Sequence, residues 1–155
     1  MTDITEGQTA PAFDLATDGD ARVTLAGLKG QSVVLYFYPK ADTPGCTTEG
    51  LDFSTLADAF AAANTVVIGV SRDAVKKLDR FKAKHDLKVI LGSDEDGVVC
   101  EAYGTWVMKK LYGREYMGVE RATFLIDGAG LVRRVWRNVK VKGHAEQVLD
   151  AARSL

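Results

Sequence analysis

Two runs, residues 32–38 (SVVLYFY) and 65–71 (TVVIGVS), are almost continuously apolar. Runs of this length bounded by turn residues have the character of strands covered on both faces. Between them lies a helical pattern from Pro44 to about Ala63, with Phe53, Leu56 and Phe60 on one stripe and Asn64 placed to stop it. Strand, helix and strand in that order make a crossover between parallel neighbours. The unit excludes an all-helical chain and an all-antiparallel one.

The flanking segments extend the pattern. Residues 12–16 and 22–25 are short strands around the turn-like Asp18-Gly19-Asp20, an N-terminal β-hairpin. Asp73 is read as the cap of a helix whose Val75, Leu78 and Phe81 share a face. Residues 88–91 (KVIL) read as a strand, 96–103 as a short helix and 113–118 as a turn. Residues 122–126 and 132–136 form a hairpin around Asp127-Gly128-Ala129-Gly130, and the last helix runs from about His144 to Arg153 with Ala145, Val148, Leu149 and Ala152 inward. This order predicts an α/β fold with a central mixed β-sheet flanked by helices, as one domain over residues 1–155.

A net charge of −1 gives no footprint for nucleic acid or for an anionic membrane. The apolar runs are too short to span a bilayer, and MTDITEGQTA carries neither a basic nor an apolar leader region, so a cytoplasmic protein is expected. The basic run from Lys76-Lys77 to Lys84-His85 reads as a solvated face, partly balanced by Asp79 and Asp86. His85 and His144, the only histidines, and Cys46 and Cys100, the only cysteines, lack ligand spacing, so no metal or other cofactor is expected.

Cys46 is the informative cysteine. In Thr43-Pro44-Gly45-Cys46, threonine is a favoured N-cap and proline a favoured first helical residue. Cys46 then falls in the first turn, among unpaired N–H groups at the positive end of the helix dipole. That setting favours a thiolate, the nucleophilic form. A small apolar filler is the plain alternative.

The wider pattern bears on this choice. Pro39-Lys-Ala-Asp-Thr43-Pro-Gly-Cys46 matches the P-x-x-x-T-x-x-C motif of peroxiredoxins, and YPKADTPGCTTE resembles the peroxiredoxin Q, or bacterioferritin comigratory protein, branch. Gly7-Gln-Thr-Ala-Pro11-Ala-Phe13, Tyr103-Gly-Thr-Trp106, the block from Tyr112 through Arg121-Ala-Thr-Phe-Leu-Ile-Asp127, and Val139-Lys-Val-Lys-Gly143-His144 resemble later and earlier family segments in order. The resemblance implies a thioredoxin-like fold and thiol-dependent reduction of hydrogen peroxide and organic hydroperoxides. It implies Cys46 as the peroxidatic nucleophile passing through a sulfenic acid. Thr43 would hydrogen-bond thiolate and peroxide, and Arg121 would supply a fixed cation. Pro39 would shield the sulfur, though it serves equally as a strand terminator. Gly45 would lend a backbone N–H to an anion pocket. Glu49 would hold Arg121, or be an ordinary first-turn glutamate. Trp106 and the Tyr112–Tyr116 segment could wall the substrate pocket, or belong to the core.

The chain departs from the branch after the motif. Many members carry a resolving cysteine where this chain has Leu51, others in the next helix, here residues 74–84, which contain none. Cys100 remains, in a short helix whose inner stripe makes packing its simpler role. The expected route is one-cysteine, with an external thiol reductant: glutathione, a glutaredoxin or thioredoxin. The alternatives are an atypical two-cysteine enzyme with a Cys46–Cys100 disulfide, and a redox-sensing or holdase role. A Cys-x-x-Cys disulfide reductase lacks its second thiol here. A monomer, or a weak homodimer, is expected from the resemblance.

Overall fold

The structure, a computed structural model, describes residues 4–155; the first three residues of the N-terminal stretch read above for a leader lie outside the described residues. In chain order the elements are β1 (Asp14–Thr17), β2 (Ala21–Thr24), β3 (Ser32–Phe37), α1 (Pro44–Thr55), α2 (Ala57–Ala62), β4 (Thr65–Ser71), α3 (Val75–His85) and β5 (Ile90–Ser93), followed by α4 (Val98–Ala102), β6 (Trp106–Leu111), β7 (Arg114–Val119), β8 (Ala122–Ile126), β9 (Val132–Trp136) and α5 (His144–Arg153). Seven strands form one sheet in the order β2-β1-β5-β4-β3-β8-β9. Strands β3, β4 and β5 are parallel, joined by the crossovers that the apolar runs predict. The pairs β1–β2, β1–β5, β3–β8 and β8–β9 are antiparallel. The thioredoxin-like mixed sheet and the N-terminal hairpin are thus both present.

Strand β3 divides the interior. Val33, Leu35 and Phe37 face one core with Leu15, Cys100, Tyr103 and Phe124. Val34, Tyr36 and the following Tyr38 face the other, with Cys46, Phe53, Phe60, Phe81 and Val148. This period-two alternation of large apolar side chains, with both faces covered, is why the run reads as continuous. Gly69 on β4 lies opposite Tyr36. A Cβ there would stand 2.5 Å from the Tyr36 ring, so only glycine admits the tyrosine in this register.

The helix read from Pro44 to Ala63 is two helices, because Leu56 leaves helical geometry at φ −98°, ψ 8°. Asn64 does stop the second, at φ 54°. The third parallel strand starts at Ile90 rather than Lys88: the Lys88 N–H donates to the Ser54 hydroxyl, and pairing with β4 begins at Ile68↔Ile90. The segment 113–118, read as a turn, is mostly strand β7, paired along its length with β6. The turn itself is Tyr112-Gly113, at φ 52° and 78°, the doubly positive geometry of a two-residue hairpin. Asp73 does not cap α3, whose N-cap is Ala74. The basic run is less free than a solvated face: Lys82 pairs with Asp18, while Lys84 and His85 both engage Asp42.

The first core is organised around Phe53 of α1. Its ring stacks on Tyr36 at 4.5 Å between centroids and meets Phe60 at 5.9 Å and His144 edge-on at 6.1 Å. Phe53→Ala is expected to cost about 3–5 kcal/mol, measured by denaturant titration. A loss near zero would mean that α1 is held to the sheet by other contacts.

Candidate active site

The chain leaves the sheet after Tyr38, whose N–H still donates to the Val70 carbonyl at 3.0 Å. Pro39 carries no N–H, so the ladder cannot continue through it. The loop that follows is fixed at two points. The Ala41 N–H donates to Asp73 Oδ2 at 2.8 Å, and Asp42, at φ 63°, takes Lys84 Nζ at 2.9 Å and faces His85 Nε2 at 2.8 Å. Those two partners, His85 first and Lys84 next, hold the Asp42 carboxyl below its usual range. Asp73 is itself locked by the Ser71 hydroxyl at 2.7 Å.

Thr43 occupies the N-cap position with extended backbone, and Pro44 opens α1. Its hydroxyl does not cap the helix or reach the sulfur as the sequence suggests; it donates to the Lys40 carbonyl at 2.8 Å. The cap is a backbone one, with the Thr47 N–H on the Thr43 carbonyl at 2.8 Å. The N–H groups of Gly45 and Cys46 donate to no backbone acceptor among the described residues. They remain available to an anion beside the sulfur.

Cys46 is only 2% exposed. Arg121, just before β8, brings Nη2 to 3.5 Å from Cys46 Sγ while Nη1 donates to Glu49 Oε1 at 2.6 Å. One guanidinium thus spans two groups of the same helix turn. Gly45 makes room for it: a Cβ there would lie 3.1 Å from Nη2. Glu49 is 1% exposed, and its Oε2 has no hydrogen-bond partner among the described residues. Burial raises its pKa from 4.5 to about 7, against the opposing pull of Arg121. It is a buried ion-pair partner, so the surface-glutamate alternative does not hold.

Of the residues singled out in the sequence, Cys46, Thr43, Gly45, Glu49 and Arg121 come together, and Pro39 lies beside them in the loop. Cys100 does not join them. It belongs to the core on the opposite face of the sheet. Its N–H donates to Asp94 Oδ2 at 2.7 Å, and its thiol is pushed far up by burial and by Asp94. Pro39 also borders a cleft of about 450 Å³ whose other walls include Trp106, Lys109 and Tyr116. Tyr112, by contrast, is 95% exposed at the hairpin tip and walls nothing near the sulfur. Sequence reasoning missed Asp42, Asp73 and Lys109. Burial, together with the charge of Arg121, lowers the pKa of Lys109. Behind the site, His144 Nε2 lies 2.8 Å from the Thr123 hydroxyl, and burial, with Arg121, lowers its pKa to about 4.

These shifts act oppositely on stability. The fold binds a proton at Glu49 more tightly than the unfolded chain does, so Glu49 makes stability fall as pH rises from 4.5 to 7. His144 binds its proton less tightly when folded, so it makes stability rise from about pH 4 to 6.5. Taking wild type minus Glu49→Gln cancels the histidine. That difference in unfolding free energy is expected to decline across pH 4.5–7 and then level off. A flat difference would show that Glu49 stays ionised in the fold throughout.

The geometry has close parallels among known proteins. The AhpC/TSA family profile matches residues 6–135. Peroxiredoxin Bcp of Bacillus subtilis is 46% identical over 96% of this chain and 95% of its own. Peroxiredoxin Bcp of Xanthomonas campestris is 45% identical over 99% and 98%. Among solved structures, a cysteine-to-serine variant of Xylella fastidiosa PrxQ superposes with a TM-score of 0.94 at 40% identity, covering 99% of this chain and 98% of that one. The bacterioferritin comigratory protein of Xanthomonas campestris, studied for its alkyl peroxide reduction activity, superposes with a TM-score of 0.88 at 44% identity, over 92% and 90%. This chain belongs to the AhpC/TSA family, in the peroxiredoxin Q, or Bcp, branch of the thiol peroxidases.

Proposed function

We propose that Cys46 is the peroxidatic nucleophile of a one-cysteine cycle reducing hydrogen peroxide and organic hydroperoxides, completed by an external thiol. The Cys46 thiolate attacks one peroxide oxygen. The S–O bond forms as the O–O bond breaks, and the departing oxygen takes a proton and leaves as water or alcohol. Cys46 is left as a sulfenic acid. The observation that carries this reading is the Arg121 guanidinium, held by Glu49 at 2.6 Å and lying 3.5 Å from the sulfur. It stabilises the thiolate and the charge that develops on the oxygens. The free N–H groups of Gly45 and Cys46 add to the same anion pocket. With its hydrogen committed to the Lys40 carbonyl, the Thr43 hydroxyl is left as an acceptor for the O–H of the incoming peroxide. Pro39 excludes water from the sulfur side of the loop.

The one-cysteine route draws support from the placement of Cys100. A Cys46–Cys100 disulfide would need the two Cα atoms within about 7 Å, and the central sheet lies between the two cores that hold them. Both cysteines are free, in keeping with work in a reducing, cytoplasmic setting; the same reading takes the protein as a monomer.

One equivalent of hydrogen peroxide, with no thiol added, is expected to leave a dimedone-reactive sulfenic acid at Cys46 and a free Cys100, read by mass and thiol titration. An internal disulfide with no adduct would overturn the one-cysteine route. Cys46→Ser is expected to abolish peroxide consumption. Arg121→Ala should slow Cys46 oxidation on the order of 10²-fold, read on the folded variant because it also unpairs Glu49, and Thr43→Val should slow it too, with a far smaller change in stability. Oxidation of either variant at the wild-type rate would remove that residue from the mechanism.

A further inference from the structure

We propose that the cleft walled by Pro39, Arg72, Trp106 and Lys109 seats the reducing thiol, and that this thiol is a small organic anion carrying carboxylates and an ammonium. The inference rests on the one-cysteine reading above.

Cys46 is 2% exposed, so a reductant reaches its sulfur most easily as a slender molecule. The cleft of about 450 Å³ borders the Pro39 loop and is of a size for a short peptide. Its charge is unlike that of the chain as a whole, which is −1. Lys40, Arg72 and Lys109 line it against the single carboxylate of Glu95. Among the described residues none of these four side chains is in an ion pair with another residue.

Arg72 is built in rather than loose. Its guanidinium lies 4.4 Å over the Trp106 ring and donates to the Glu95 carbonyl at 3.1 Å. A guanidinium has five N–H donors, so most remain for a carboxylate guest. Lys109 connects the cleft to the chemistry. Its stem passes over Gly118, where a Cβ would meet it at 3.2 Å, and its charge is felt by both Arg121 and Cys46. Burial weakens its hold on the proton, and an anionic guest would restore it. The apolar wall of Trp106 and Val119 suits a methylene stem, and Glu95 is left for the ammonium. Hydrogen peroxide, small and neutral, gains nothing from three cations. An anionic thiol gains from each.

In the step so served, the guest thiolate sulfur attacks the Cys46 sulfenic sulfur. The S–O bond breaks, hydroxide takes a proton and leaves as water, and a mixed disulfide remains. A second molecule of the same thiol attacks that disulfide, releasing the Cys46 thiolate and the symmetrical disulfide of the reductant.

The test follows reduction of preformed Cys46 sulfenic acid by glutathione, by neutral mercaptoethanol and by cationic cysteamine, at equal thiolate concentration. Glutathione is expected to be about tenfold faster than mercaptoethanol and cysteamine slower, with the spread narrowing as salt rises. In Arg72→Gln the ratio of glutathione to mercaptoethanol rates should drop by about three- to tenfold. The exposed Lys40→Gln, which leaves the Trp106 stack intact, should lower the same ratio by a smaller factor. A ratio near one in the wild-type protein, or one that survives both variants and high salt, overturns the proposal while leaving the one-cysteine cycle standing. A Cys46–Cys100 disulfide found before any thiol is added would instead remove the reading on which the proposal rests.

Discussion

Arg121 stands beside Cys46 because β8 pairs antiparallel with β3. The last rung of that ladder is Phe37↔Ala122, so residue 121 falls just past the point where β3 gives way to the Pro39 loop. The loop then turns into α1 and brings Cys46 back to the same spot. Two segments 75 residues apart in sequence meet there with no intervening element. Everything else about the site follows from that meeting. Gly45 is small where the guanidinium arrives, and Glu49, one turn on, receives its other nitrogen. On the other side of β3, the parallel register with β4 is guarded by volume, since the Tyr36 ring fits only over Gly69.

The electrostatics is a contest between burial and pairing. Glu49 is deep enough that desolvation outweighs a short ion pair, and one of its oxygens has no hydrogen-bond partner among the described residues. The cation is therefore less neutralised by its neighbour than the 2.6 Å contact alone suggests. The positive end of α1 and the free N–H groups of its first turn add to the same field. Helix α3 acts from outside the site: Lys84 and His85 hold Asp42, and Asp73, just before the helix, holds Ala41. The loop is thus tethered by contacts separate from the one Arg121 makes.

How far this was legible in the sequence depends on where the information resides. The runs 32–38 and 65–71 announce buried strands because both their faces are covered, and the crossover helix between them fixes their direction. The β6–β7 hairpin hides because its side chains are half-exposed on both faces and do not alternate cleanly, and because tyrosine fills a turn position where asparagine would be the usual sign. In the site, the helix start at Thr43-Pro44 is readable from local chemistry. Arg121 and Glu49 are not: an arginine before a strand and a glutamate in a first turn look like surface residues, and only the family resemblance singles them out. Asp42, Asp73 and Lys109 carry no local signature at all. The contacts by which Asp42 and Asp73 hold the loop reach 32 to 43 residues along the chain, those of Lys109 cross the hairpin, and all exist only once the chain is folded. The cap assigned to Asp73 was a local reading of a residue that bonds Ser71 nearby and Ala41 across the fold.

The two cores on either face of the sheet have a mechanical consequence. Where two thiols must meet to form a disulfide, the helix bearing the first has to unwind during every turnover, and that part of the fold must be kept weak enough to open. In the one-cysteine cycle proposed above, with Cys100 behind β3 and Leu51 in place of a nearer thiol, the first turn of α1 has no internal partner to travel to. It can be clamped by Arg121, Asp42 and Asp73 and stacked through Phe53 without slowing a motion that the cycle needs. In that cycle the stiffness of this corner does not work against disulfide formation, and α1 can serve stability as well as chemistry.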